Sequence, residues 1–157
     1  MLPPDIGNQI PPMVENNIEV KWISDPEDLE KVFAIRRKVF VEEQNCPPEL
    51  EWEFEDESKH FMGSVNGIPA GAARWRHTDK GFKLERFAVL KEFRGIGMGK
   101  ALVQSVLADL PSDADYIYLN AQLKAMGLYA QFGFVKDGPQ FDEAGIQHFK
   151  MVLENTI

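Results

Sequence analysis

Between two cations the chain reads Arg94-Gly95-Ile96-Gly97-Met98-Gly99-Lys100, with glycine at every second position. Glycine has no Cβ, so such a segment can turn tightly and bring its backbone close to a ligand. At the mouth of a helix its successive N–H groups converge on one anion, and Arg94 adds a full charge beside them. A pyrophosphate is the natural guest. Two other phosphate readers fail on spacing. A P-loop has four residues between its glycines and a Ser or Thr after its Lys, whereas Gly95 and Gly99 enclose three and Lys100 precedes Ala101. A dinucleotide site wants an acidic residue at the far end of the next strand, and Asp113 and Asp115 precede that strand.

The surrounding pattern supplies elements to hold this segment. Ile18, Val20 and Trp22 alternate with polar residues as in a half-buried strand, and Leu29, Val32, Phe33, Ile35, Val39 and Phe40 recur at helical spacing after Pro26, ending before Pro47-Pro48. Residues 60–66 read as a strand, Asn66-Gly67 as a hairpin turn, 68–77 as its partner, and 82–90 as a third strand after the turn Asp79-Lys80-Gly81. Met98, Ala101, Leu102, Ser105, Val106 and Ala108 follow helical spacing up to Pro111; residues 116–121 then read as a strand, 124–132 as a short helix stopped by Gly133, 134–136 and 146–153 as strands. The order β-α-β-β-β-α-β-α-β-β predicts an α/β (α+β) domain with one mixed sheet and helices on its faces, without internal repeats. The domain is expected over 17–157, after a flexible, proline-bearing tail over 1–16.

With 157 residues, 44% hydrophobic and 27% charged, the chain suits one globular domain. Its 25 acidic against 17 basic residues give a net charge of -8, which opposes nucleic-acid binding and favours a basic acceptor such as an amine. Neither a signal peptide nor a membrane-length apolar run occurs, so neither nucleic acid nor membrane is an expected partner. Cys46 is the only cysteine, which excludes an internal disulfide and suits the cytoplasm. His60, His77 and His148 lack metal-ligand spacing, so no metal is expected.

The glycine segment resembles the pyrophosphate motif of the GNAT N-acetyltransferase superfamily, Arg/Gln-x-x-Gly-x-Gly/Ala. Leu84-Glu85-Arg86-Phe87-Ala88-Val89 resembles the strand before it. Leu119-Asn120-Ala121-Gln122, Tyr129 ahead of Phe132-Gly133-Phe134, Gly145-Ile146-Gln147-His148, and the run from Arg36 to Gln44 are similar to the ElaA/YjcF-like branch of that superfamily, with Gln147 where the branch commonly has proline. The resemblance covers about residues 18–153.

It implies a GNAT-like acyl-CoA N-acyltransferase fold and an acetyl-CoA-dependent N-acetyltransferase acting on a primary amine, of a small molecule, by direct attack. It also implies that Arg94 to Lys100 hold the pyrophosphate, that the main chain of Phe87, Ala88 and Val89 meets pantetheine, and that Asn120 and Tyr129 border the coenzyme. By the same resemblance the Tyr129 hydroxyl protonates the leaving thiolate; the alternative is an aromatic packed on the sheet. Glu85, an acid within an apolar strand, is the candidate base, or else an ion-pair partner of Arg74, Arg76 or Arg86. Cys46, in a proline-flanked loop without a partner base, is a poor nucleophile. The first helix and the turn 141–148 would wall the acceptor, which brings Glu43, Gln44 and His148 to it. Glu43 near a helix C-terminus would welcome a cation, either the acceptor amine or a nearby lysine. The acidic run from Glu49 to Glu57 reads as solvated surface or, more sharply, as a rim for a cationic substrate. A homodimer is compatible with all of this. A catalytically weak acyl-CoA sensor or interaction module is the rival function.

Overall fold

The structure is a computed structural model in which residues 16–48 and 53–154 are described. Most of the expected tail, and Glu49 and Glu51 of the acidic run, lie outside them. Eight strands form one mixed sheet in the order β1-β2-β3-β4-β5-β8-β6, with β7 paired to β8. The strands are β1 (Ile18–Ile23), β2 (Ser58–Val65), β3 (Ile68–His77), β4 (Phe82–Val89), β5 (Ile117–Gln122), β6 (Phe134–Lys136), β7 (Phe141–Glu143) and β8 (Ile146–Leu153). The helices are α1 (Pro26–Arg36), α2 (Met98–Asp109) and α3 (Met126–Ala130). The expected α/β order is present with one strand more. β7 is three residues long, too short to show alternation, and turns into β8 through Ala144 and Gly145, both at positive φ.

Asn66 and Gly67 take φ of 51° and 83°, which matches the twist of a two-residue hairpin and sets Val65 opposite Ile68. Neighbouring residues then go to opposite faces. Phe61, Ala73 and Leu84 pack under Met98, Leu102, Val103 and Val106 of α2, while Met62, Ala72 and Ala88 pack under Val32, Ile35 and Val39 of the first helix. That first helix is continuous but changes pitch, running as a π-helix from Arg37 to Glu43. Trp22 departs from the expected inward alternation. On the edge strand β1 it is 53% exposed, with the Lys59 ammonium 5.4 Å from its ring centre.

The central feature lies between β4 and β5. They are parallel neighbours, yet only Phe82↔Ile117 and Lys83↔Tyr118 are in register. Beyond that point the strands part, which leaves a gap in the middle of the sheet. Gly81 closes its narrow end. The Tyr116 carbonyl accepts from Phe82 N at 2.8 Å, and a Cβ on Gly81, at φ +150°, would fall 2.5 Å from that same oxygen. Gly81→Ala is therefore expected to lower stability by about 1–3 kcal/mol and to loosen the β4–β5 junction. Equilibrium denaturation measures the loss; a wild-type midpoint would show that the junction yields without cost.

Candidate active site

A cleft of about 890 Å³ follows the gap between β4 and β5. Its first wall is the end of β4, and that strand is bulged. Ala72 pairs with Ala88 but Arg74 pairs with Glu85, so β4 carries one residue more than β3, and Arg86 takes the extra turn at φ 59°. A left-handed non-glycine residue costs about 1–2 kcal/mol, and bulges re-aim the strand that bears them. Phe87, Ala88 and Val89 follow the bulge on the cleft wall, with their β5-side edge outside the sheet ladder.

The glycine segment comes next and leads into α2. Gly97 caps the helix at φ 101° and Gly95 stands at φ 82°. A Cβ at Gly95 would meet nothing within 4 Å, and one at Gly97 only Ile18 Cδ1 at 3.8 Å, so the backbone faces open space that side chains would otherwise fill. An anion can approach these amides and the positive end of a twelve-residue helix. Gly95, Gly97, Met98 and Gly99 line the cleft with Arg94. Ile96 packs instead against the core around α2, and Lys100 is exposed away from the lining. The set fits a pyrophosphate-bearing group.

Arg94 already holds an anion. Its two terminal nitrogens each reach a Glu43 oxygen at 2.7 Å, and its Nε donates to the Val89 carbonyl at 2.8 Å. The hydrogen bonds from Arg94 keep the Glu43 carboxyl below its usual range, and Glu43 in turn raises the guanidinium. So Glu43, expected at the acceptor, has its carboxylate spent on an arginine at the coenzyme side. Its neighbour Gln44 does line the cleft and spans it, accepting from Gln122 Nε2 at 3.0 Å. Asn120 donates to Glu143 at 3.3 Å, and His148, buried, stacks on Phe141 and has Nδ1 2.7 Å from the Ile146 carbonyl. Asn120 and His148 stand on the β5–β8 side of the cleft, and Gln44 reaches that side from the end of the first helix.

Tyr129 packs on the sheet and also borders the cleft. Its ring is edge-on to Phe87 and Phe134, with centroids 5.6 and 6.3 Å away. Burial pushes its phenol upward, so it carries its proton at neutral pH.

Glu85 stands in a cluster that sequence reading only half anticipated. Its Oε2 accepts from Arg74 at 2.6 and 2.7 Å and from Arg76 at 2.8 Å, while Oε1 is 3.2 Å from Lys83. Arg74 continues to Glu55 at 2.8 Å, and Glu55 takes a two-pronged bond from Arg36 at 3.1 and 2.6 Å. Arg36 and Arg74 are each 1% exposed. Glu55 comes from the acidic run read as solvated surface or substrate rim; burying two arginines requires a carboxylate between them, and this one turns inward to serve. The arginines on α1 and β3 were visible in sequence, but nothing local pairs them with a residue 19 positions away.

Burial alone would raise the Glu85 carboxyl, but Arg74, Lys83 and Arg76 outweigh it and lower it to about 2 from an ordinary 4.5. A carboxylate so held gives up little basicity to an incoming ammonium. The same shift favours the folded state above pH 4.5, and that contribution is lost as pH falls from there towards 2. Denaturation across this window should show stability falling, with Glu85→Gln flattening the acid limb; an unchanged limb in the variant would contradict the ion-pair geometry.

Comparisons with known proteins agree with this architecture. A family model described as an acetyltransferase (GNAT) domain matches residues 23–155. The uncharacterized N-acetyltransferase YjcF of Bacillus subtilis is 40% identical over 131 residues, covering 82% of this chain and 94% of that protein. Among solved structures, Escherichia coli ElaA superposes with a TM-score of 0.73 at 24% identity, over 89% of this chain and all of the other. A GNAT family acetyltransferase from Elizabethkingia anophelis with acetyl-CoA bound superposes at 0.64 and 15% identity, over 90% of this chain and all of the other.

Proposed function

The chain belongs to the GNAT acetyltransferase family, and on that premise we propose that it moves an acetyl group from acetyl-CoA to the primary amine of a small molecule by direct attack. The observation that carries this reading is the gap between β4 and β5, with the bulge at Arg86 on its wall and the glycine turn at its mouth. The acetyl-CoA-bound relative of the same fold supports the choice of coenzyme.

Bound in the gap, acetyl-CoA supplies the thioester carbonyl and the thiolate leaving group. The amides from Gly95 to Gly99 and the start of α2 would receive the pyrophosphate, with Arg94 released from Glu43 as the charged partner. The unladdered edge of Phe87, Ala88 and Val89 offers N–H and C=O groups to the pantetheine arm and one N–H to the carbonyl oxygen as charge grows there. Asn120 and Gln122 face that arm from β5. As the acceptor nitrogen forms the C–N bond and the C–S bond breaks, the Tyr129 hydroxyl gives its proton to sulfur. The nitrogen loses a proton to water, and one from solvent restores the phenol. Glu85 serves in this scheme as the fixed anion that aligns Arg74 and Arg76, the acceptor arriving neutral. Gln44 and His148 stand where they can border it. The single cysteine, free and buried, sits comfortably in a reducing cytoplasm.

Gly97→Asp should abolish measurable acetyl-CoA binding in calorimetry, since a side chain and a negative charge would occupy the phosphate position; retained affinity in a folded variant removes the glycine turn from the site. Tyr129→Phe should lower kcat about 10²- to 10⁴-fold while leaving acetyl-CoA affinity and thermal stability near wild type. A parallel fall in stability and activity would assign the ring to packing alone. Release of free CoA across a panel of amines separates the transferase from a binding module, which would bind acetyl-CoA and turn over none of them.

A further inference from the structure

The protein carries a net charge of -8, yet among the described residues its cleft is lined by six arginine and lysine side chains and three carboxylates. Arg94 and Lys124 lie toward the glycine turn and the β5 end, where a polyanionic coenzyme accounts for them. The rest of the imbalance lies at the other end, on the face of the sheet that α1 covers. There Glu85 and Glu55 are shared among Arg36, Arg74, Arg76 and Lys83. Each carboxylate serves at least two cations.

The members of this cluster are spent to different degrees. Arg74 is 1% exposed and gives Nε and both terminal nitrogens to Glu55 and Glu85. Arg76 gives Glu85 only its Nε, at 2.8 Å, and its terminal nitrogens make no hydrogen bond among the described residues. Its guanidinium carbon lies over the Phe54 ring, 3.8 Å from the ring centre, so the ring strips water from that side. Lys83 shares the same Glu85 at 3.2 Å. Both side chains border the cleft and retain a little exposure, 11% and 17%. Among the described residues Glu53 is the further carboxylate that borders the cleft on that side, and it is exposed at the rim, so an amine without an anion of its own would offer this pair of cations nothing to bind. A planar carboxylate would instead meet the open fork of Arg76 in two parallel hydrogen bonds with Lys83 beside it.

From this arrangement we infer that the acceptor is a primary amine that also carries a carboxylate, an amino acid in the broad sense, and that Arg76 and Lys83 read the carboxylate. The inference deepens the acetyltransferase reading and rests on it for the identity of the reacting group. Arg76 is then a specificity residue and not part of the acyl transfer.

The test is calorimetric titration of the CoA-loaded protein with glycine, L-phenylalanine and L-serine, each against its α-amide, followed by acetyl transfer on the same six compounds. At least one acid should bind about 10-fold or more tightly than its amide, as a charge-assisted pair predicts. Arg76→Gln should remove most of that preference while leaving the amides unaffected, and Lys83→Met should reduce it with the Arg76 fork intact. If Arg76→Gln does not fold by thermal melting, Lys83→Met carries the test alone. Equal affinity within all three pairs, or no binding by any acid, overturns the inference. Amides acetylated as fast as acids would leave the transferase standing and the carboxylate site refuted. An acid bound through Arg76 with no compound acetylated would do the reverse.

Discussion

Four cations and two carboxylates under one face of the sheet hold the α1 side of the cleft together. Neither arginine at the centre could be buried without them, because an unpaired guanidinium in a low-dielectric interior costs several kcal/mol. The cluster ties α1 through Arg36, the loop before β2 through Glu55, β3 through Arg74 and Arg76, and β4 through Lys83 and Glu85. Four segments distant in sequence are thus fixed to one another by charge where apolar side chains would have closed the cleft. His60 belongs to the same layer: it lies 3.7 Å from Glu55, and desolvation holds its imidazole below the ordinary value.

The side of the cleft at the glycine turn is built on a different principle. Its groups are main-chain amides, made available by the bulge at Arg86, the two left-handed glycines and the parting of β4 from β5. The two sides meet along β4, where Glu85 looks toward the charged cluster and Phe87 packs on Tyr129. One inserted residue between them shifts the register and so turns adjacent stretches of the strand to different tasks.

How much of this could be read from sequence depended on how far apart the partners lie. The glycine turn, the Asn66-Gly67 hairpin and the face of α2 bearing Met98, Leu102 and Val106 are local patterns, and each appears where expected. The bulge left a local trace that sequence reading passed over: the alternation of Phe82 to Glu85 breaks at Arg86, where a second charged residue follows the first and three apolar residues come after it. β7 is too short to announce itself. Glu55 looked like its neighbours in an acidic run, and the Glu43 pairing with Arg94 spans 51 positions, so both depend on a tertiary neighbour that no window contains. Glu85 was legible as an anomaly, an acid in an apolar strand, but its partners and not its type decide what it does.

A sheet normally has two free edges, and proteins guard them because an unpaired row of amides is a template on which another chain can grow. This sheet has two more in its interior, where β4 and β5 separate after two paired residues. The helices on the two faces and the Gln44–Gln122 bridge enclose these inner edges, so a foreign strand cannot lie along them. The protein thereby carries an aggregation hazard turned inward, its unpaired amides and carbonyls facing a slot within the domain in place of the surface.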